Sequence, residues 1–352
     1  MPPLLLLLPV AAAEQHVHKP APQGVCSETD FCTGHVGPDP THQDGRSAAW
    51  IPPPAHNNHA SFLHELPDGD LGLVFFSGTE EGQFNCSVYY ARLPRGEKQW
   101  STPQLISRRC LLRPIYRPMA FFVLMGLSLS LCWIHTPGSR YDWSNENPNL
   151  MTDPATGWLI AHHSSQPASN CVGDPTNSGH NGPPCCPANT LLSPGPSTSC
   201  EHYAEIWRVV SKDGKGETWE PPVPFLRTPS SFSRNRPIQL SGSGEWLFPM
   251  FYAQGTFSPR SDAECLGWPA IQADYAGLWR SPPNEPISFH WSELSWMNET
   301  TKAVYPGFPT SGCRVHPSIV DLGDGHLKVF FRDRRMENIY SADSFDNGTQ
   351  PS

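Results

Sequence analysis

The chain has 352 residues, of which 38% are hydrophobic and 16% charged, so it can bury a sizeable core but is rich in loops. Its 40 prolines and 28 glycines exclude a fold built of long helices, because proline removes a helical hydrogen bond and glycine costs backbone entropy. The acidic residues outnumber Lys and Arg by 33 to 24, for a net charge of −9, which excludes general binding of nucleic acid. An anionic ligand would need a local cluster of arginines.

The N-terminus begins with an apolar segment. Residues 1–13 are mostly Leu, Pro and Ala and end in small residues, which is typical of a secretory signal peptide and predicts a secreted or secretory-lumen protein. Residues 14–50 show no periodicity, and we interpret them as a flexible leader. The eleven cysteines contain no C-x-x-C pair and favour disulfides over a zinc site. The predicted N-glycosylation sites, each in an N-x-[ST] sequon, are Asn85, Asn298 and Asn347.

Within residues 51–352 one unit repeats four times. Each copy has a polar residue, a short apolar strand, a turn centred on Gly and a second apolar strand, which is typical of β-hairpins. A third strand follows, and two copies continue into turns of the Asp-box type at Asp213 and Asp346. The copies begin at His59, Asn147, Arg236 and His316. Because such sheet units cannot bury their faces alone, they predict an all-β propeller in which these four residues meet near the axis.

Two segments interrupt the repeats, near residues 111–140 and 166–200. The first contains the apolar run Met119–Ile134, whose sixteen residues are fewer than the ~20 that span a membrane as a helix. A membrane anchor, a buried insertion and an artefact of the gene model are the alternatives, and we predict that the run is not part of a blade. The second segment holds four cysteines among Pro, Gly, Asn and Ser and is interpreted as a disulfide-tied loop.

Several short motifs, in their order along residues 56–349, resemble the BNR/Asp-box repeat-like branch of the sialidase (neuraminidase) superfamily. They are His59-Ala-Ser, Ser77-Gly-Thr-Glu-Glu81-Gly82, Asn147-Pro148, Arg234-Asn-Arg-Pro237 and His316-Pro-Ser-Ile. The resemblance implies a six-bladed propeller, which this sequence would contain in C-terminally truncated form because it stops inside an Asp box. It also implies an exo-glycosidase that releases terminal sialic acid or a related acidic sugar, with sialylated or acidic glycans as partners.

The resemblance further implies which residues form the site. Sialidases hold the substrate carboxylate with arginines, whose planar fork suits it, and use an acidic proton donor and a Tyr–Glu nucleophile. The expected substrate contacts are Arg236, Arg332, Arg234, Asn147 and His316. Glu81 is the expected acid, and His59, the other candidate catalytic residue, stands where the family has an arginine. The tyrosine is expected downstream, since Tyr252 and Tyr340 are interpreted as strand residues.

Two other functions stay open. A glycan-binding propeller without hydrolytic activity would agree with Asn85, which occupies a position where the family tends to have Asp. A propeller polysaccharide lyase acting on uronic acids would use His and Tyr, and His59 would suit that chemistry. No phosphate loop, H-E-x-x-H or G-x-S-x-G motif occurs, so kinase, zinc-protease and serine-hydrolase functions have little support. No metal or cofactor is predicted.

Overall fold

The computed structural model describes only part of the chain. The described residues are 33–39, 44–79, 81–83, 85–107, 143–167, 204–226, 231–252, 275–283, 292–294, 314–333 and 339–348. The predicted signal peptide, the run Met119–Ile134 and most of the segment near 166–200 lie outside them. No helix in the described ranges is long and apolar enough to cross a membrane.

The chain divides into two compact units, residues 1–52 and 53–352. In the first unit, β1 (Gly37–Pro38) and β2 (Ser47–Ala48) form a short antiparallel ribbon. The sequence, which lacks any periodicity there, did not predict it.

The second unit contains four antiparallel sheets, each built from consecutive strands. Blade 1 consists of β3 (Asn57–Glu65), β4 (Leu71–Gly78), β5 (Ser87–Leu93) and β6 (Gln104–Ser107). Blade 2 consists of β7 (Trp143–Thr152), β8 (Leu159–Pro167), β9 (Glu205–Ser211) and β10 (Val223–Leu226). In blade 3, β11 (Ser231–Ser233) and β12 (Ile238–Gln239) both pair with β13 (Trp246–Tyr252), followed by β14 (Tyr275–Ser281) and β15 (Ser292–Leu294). Blade 4 consists of β16 (Arg314–Asp321), β17 (Leu327–Asp333) and β18 (Ile339–Ser344). The four predicted repeats are therefore four blades, and the prediction of an all-β propeller is confirmed.

Apolar side chains fill the spaces between successive blades. One cluster joins blades 1 and 2 and contains Val74, Tyr90 and Leu150. A second joins blades 2 and 3 around Ile206 and Phe248, and a third joins blades 3 and 4. Each blade alone would leave these surfaces in water, so burial between neighbours drives the radial stacking.

The predicted Asp box of blade 2 has the expected structure. The Asp213 carboxylate accepts hydrogen bonds from the backbone N–H groups of Lys215 and Thr218, both at 2.8 Å, and these bonds help to hold its pKa far below the usual value despite some desolvation. Trp219, which closes the box, packs edge to face on Tyr90 of blade 1 at 5.2 Å between ring centres. It therefore contacts the preceding blade, and the box is a structural turn.

The first strands of blades 1, 2 and 4 share a bulge. Two residues there oppose one on the partner strand, and the first of the two has positive φ: Ala60 at 55°, Asn147 at 51° and His316 at 56°. Ala60, rather than His59, is thus the equivalent of Asn147 and His316. The predicted alignment of the first repeat was wrong by one residue, because residue type alone does not show where a strand bulges.

Candidate functional site

The bulges of blades 1, 2 and 4 meet blade 3 at one place. The end of β11 and the two residues that follow it in blade 3 contact each of the other three blades. Ser233 Oγ donates to the backbone oxygen of Asn147 at 3.3 Å, and Asn235 Nδ2 donates to the backbone oxygen of Pro317 at 2.7 Å. Arg234 Nη1 reaches the backbone oxygen of Ala60 at 3.3 Å. Residues 233–235 thus bring the strand starts of the other three blades together, as predicted, but the prediction that Arg236 is one of the converging residues is wrong.

His59 and Glu81 form a pair at this place. The imidazole Nδ1 lies 3.4 Å from Glu81 Oε2, and the two side chains are 59% and 46% exposed, so a ligand can reach both. The Glu81 carboxylate raises the pKa of His59 by accepting a hydrogen bond from the ring and by its negative charge, and the charge of Glu146 adds to this. Burial and the charge of Arg234 act in the opposite direction. The pair, whose members the sequence picked out separately, can therefore hold one proton.

Arg234 brings a guanidinium group to the same bulge. It donates to the backbone oxygens of Ala60 and Ser61, and among the described residues no carboxylate forms an ion pair with it. The side chain is half-buried, and this desolvation lowers the pKa of Arg234. The positive charge of Arg332, exposed near the end of β17, lowers it further, whereas Glu81 raises it. Two arginines and one carboxylate thus act on one another here.

Arg236 points to a different part of the molecule. Its Nη1 lies 3.0 Å from Nδ1 of His64, whose Nε2 lies 3.0 Å from Oγ1 of Thr152 in blade 2. Burial and the charge of Arg236 lower the pKa of His64 to about 4, so the neutral ring accepts from Arg236 and donates to Thr152. His64 follows His59 by five residues, or roughly 15 Å along a strand. The structure therefore separates Arg236 from the other candidate residues.

Glu146, which the sequence analysis did not select, is a buried carboxylate in β7 that is only 4% exposed. Its Oε1 accepts hydrogen bonds from the backbone N–H of Gly82 at 2.9 Å, from Ser144 Oγ at 2.6 Å and from Gln166 Nε2 at 3.1 Å. Gly82 directly follows Glu81. The only sequence feature that could have pointed to Glu146 is its position directly before Asn147, which begins the second repeat.

The other predicted site residues have mainly structural surroundings. Asn147 is buried, and the ring of half-buried His316 packs against Phe251 at 4.9 Å between centres. Tyr252 and Tyr340 lie in β13 and β18, as predicted. The side chain of Arg314, another arginine near the site in sequence, is outside the described part.

The predicted glycosylation and disulfide sites stay predictions. Asn85 is half-buried, and its Oδ1 accepts a hydrogen bond from the backbone N–H of Thr79 at 3.2 Å. Asn347 is half-buried in the second Asp box, and Asn298 lies outside the described residues. Cys86 is buried as a thiol, and the other ten cysteines lie in segments that the structure does not describe. The described residues contain no group of three His, Cys, Asp or Glu side chains that could hold a metal ion.

The model of a family described as the BNR repeat-like domain matches residues 69–351. No curated protein sequence matches the chain significantly. Among solved structures, a mutant of NanB sialidase from Streptococcus pneumoniae is 14% identical with a TM-score of 0.50, over 85% of this chain and 51% of that one. Hadza microbial sialidase Hz136 is 14% identical with a TM-score of 0.49, over 85% of this chain and 46% of that one. The chain spans about half the length of these structures, and at 14% identity the likeness to NanB sialidase shows the fold alone.

Proposed function

The chain belongs to the BNR repeat-like domain family, and from this premise we propose that it is a glycan-directed exo-glycosidase that releases a terminal sialic acid or a related carboxylated sugar. Arg234 and Arg332 bind the sugar carboxylate, and the His59–Glu81 pair supplies the proton for the leaving oxygen. One observation carries the proposal: the half-buried Arg234 guanidinium, which no ion pair neutralises within the described residues, lies in the field of a second arginine.

A cation that has lost part of its water and lies near another cation is unfavourable unless an anion compensates it. Glu81 compensates Arg234 only in part, because the pKa of Arg234 stays lowered. A carboxylate on the ligand would provide this compensation, and it can accept two parallel hydrogen bonds from one guanidinium. The whole chain carries a charge of −9, so its general field does not attract anions. A local arginine pair is therefore what a carboxylated sugar would require.

The proposed chemistry is hydrolysis. Glu81 donates a proton to the glycosidic oxygen as the bond from that oxygen to the anomeric carbon breaks, and His59, with its raised pKa, returns a proton to Glu81. Water supplies the hydroxyl group that adds to the anomeric carbon and the proton that restores the pair. The products are the acidic sugar and the shortened glycan.

The raised pKa of His59 keeps a proton on the pair to higher pH, where it is available for a leaving oxygen. A polysaccharide lyase would instead use the neutral ring as the base that abstracts a proton from the uronic acid. A purely binding protein would need the arginines alone. The exposed pair of proton-carrying groups beside them is what favours catalysis.

A substrate panel tests this function. We expect the full-length protein to release 4-methylumbelliferone from its α-sialoside at least ~10-fold faster than from the uncharged β-galactoside, because one charge-assisted hydrogen bond is worth about 1.5–3 kcal/mol. The same samples are assayed for ultraviolet-absorbing unsaturated products on a uronic-acid polymer. Unsaturated products without sialic acid release would establish a lyase. Saturable sialoside binding without turnover would leave a binding protein.

A further inference from the structure

We propose that Glu146 is a positioning residue that holds residues 81–83 against blade 2 and thereby keeps Glu81 beside His59. Its catalytic consequence rests on the proposed hydrolysis. The loop geometry does not rest on the proposed hydrolysis. Hydrogen exchange of the loop and titration of the His59 imidazole can each be measured without turnover.

The loop is fastened to blade 2 through its backbone. Gly82 is buried and has a φ of +83°, a conformation that L-residues rarely adopt. In it, the Gly82 N–H donates to Glu146 Oε1 at 2.9 Å. Because Glu81 is the neighbouring residue, this bond limits where its carboxylate can lie.

The rest of the loop is also anchored. Thr79 donates to Asn85 Oδ1 from its backbone N–H at 3.2 Å and from its hydroxyl at 3.1 Å, which closes the loop on itself. Where β5 begins, the backbone N–H and the side-chain amide of Asn145 donate to the backbone oxygen of Cys86 at 3.2 and 3.1 Å. Asn145 and Glu146 are adjacent on β7, so one strand holds the loop at two points.

The carboxylate of Glu146 is itself fixed. Besides Gly82, Ser144 and Gln166 donate to the same oxygen. Ser144 is fully buried and Gln166 is 8% exposed. A rigid acceptor at this position can set the loop geometry to within the tolerance that catalysis needs.

The charge of Glu146 also reaches the catalytic pair. The charged groups that act on His59 are Glu81 from the loop, Glu146 from β7 and Arg234 from blade 3. The two carboxylates raise the pKa of His59 and Arg234 lowers it. Burial, followed by the charge of Glu146, raises the pKa of the neighbouring Cys86 thiol to about 12, so this thiol stays neutral and does not compete for the proton.

Two substitutions separate the two roles of Glu146. Glu146→Gln keeps an acceptor for Gly82 but removes the charge, whereas Glu146→Ala removes both. We expect the Gly82 amide to stay protected from hydrogen exchange in Glu146→Gln and to lose protection in Glu146→Ala. The pKa of His59, followed by NMR of its ring protons, should fall in both variants. Glu217→Gln, which changes an exposed carboxylate paired with Arg92, is the matched control and should change neither quantity.

The kinetic readout follows the same division. Glu146→Ala should lower kcat by about 100-fold with a smaller change in KM, because a misplacement of about 1 Å can cost that much. Glu146→Gln should keep most of kcat at low pH. Activity that depends on a proton held by the pair is lost as pH rises through the pKa of His59. In Glu146→Gln, where that pKa is lower, the loss of activity at high pH should therefore begin at a lower pH than in wild type.

Several results would overturn the proposal. One is unchanged Gly82 exchange in a folded Glu146→Ala protein, checked by its thermal transition. If Glu146→Ala does not fold, unchanged Gly82 exchange in Glu146→Leu, which fills more of the space but also lacks an acceptor, overturns the positioning role instead. An unchanged His59 pKa in Glu146→Gln would overturn the electrostatic role. If wild type has no turnover at all, the proposed function fails, while the exchange and pKa measurements still decide the role of Glu146.

Discussion

Replacing Arg234 by alanine should weaken the binding of an α-sialoside by about 10- to 150-fold, the equivalent of one charge-assisted pair worth about 1.5–3 kcal/mol. The substitution removes the guanidinium group that we propose binds the ligand carboxylate, so the carboxylate loses both N–H donors of Arg234. Arg236→Ala should change the affinity by no more than about twofold, as for a typical substitution away from the site, because Arg236 interacts with His64. Isothermal titration with a sulfur-linked α-sialoside, which the protein would not hydrolyse, measures both affinities.

Arg234 also donates to the backbone oxygens of Ala60 and Ser61, so its loss could disturb the bulge of blade 1. Arg234→Lys controls for this effect, since it keeps a positive charge but lacks the planar fork. We expect its affinity to lie between those of wild type and Arg234→Ala at a similar thermal transition. A larger loss in Arg236→Ala than in Arg234→Ala would move the carboxylate site to Arg236.

Glu81→Gln should reduce kcat for sialoside hydrolysis by about 100- to 10,000-fold, the usual contribution of general acid–base catalysis. Glutamine has nearly the shape of glutamate but cannot donate a proton to a glycosidic oxygen. Because the Glu81 carboxylate is the main cause of the raised pKa of His59, the ring should also titrate at lower pH in this variant. Discontinuous turnover assays give kcat, and NMR titration of the His59 ring gives its pKa.

Sialoside affinity should survive in Glu81→Gln, since the arginines remain. The matched control is again Glu217→Gln, whose turnover should equal that of wild type. Normal turnover in Glu81→Gln would remove Glu81 from the mechanism, and lost affinity with normal kcat would assign it to binding instead.

The fold could be predicted from the sequence because its causes are local. The Gly-centred hairpin turns recur four times, and Asp213 with its following glycines and Trp219 forms a turn whose hydrogen bonds lie within nine residues. Patterns of this length can be recognised in a single sequence. Apolar sheets that must be covered on both faces favour a radial arrangement of blades over most other folds.

The candidate site was only partly predictable, because it depends on register and burial. A bulge shifts the frame by one residue, which moved the equivalent of Asn147 from His59 to Ala60. In blade 3, residues 234–237 separate the two short strands that pair with β13. Because of this interruption, Arg234 lies against the bulge of blade 1, whereas Arg236 lies against His64. Glu146 was missed because one acidic letter does not show whether the side chain is buried.

The most direct test of the carboxylate site compares a sulfur-linked α-sialoside, which the protein would not hydrolyse, with its methyl ester, which keeps the sugar and removes the charge. Isothermal titration of the wild-type protein should give an affinity about 10- to 150-fold weaker for the ester, and Arg234→Ala should bind the two ligands nearly equally. Equal affinity of the wild-type protein for acid and ester would contradict the account, because Arg234 and Arg332 would then not recognise the carboxylate.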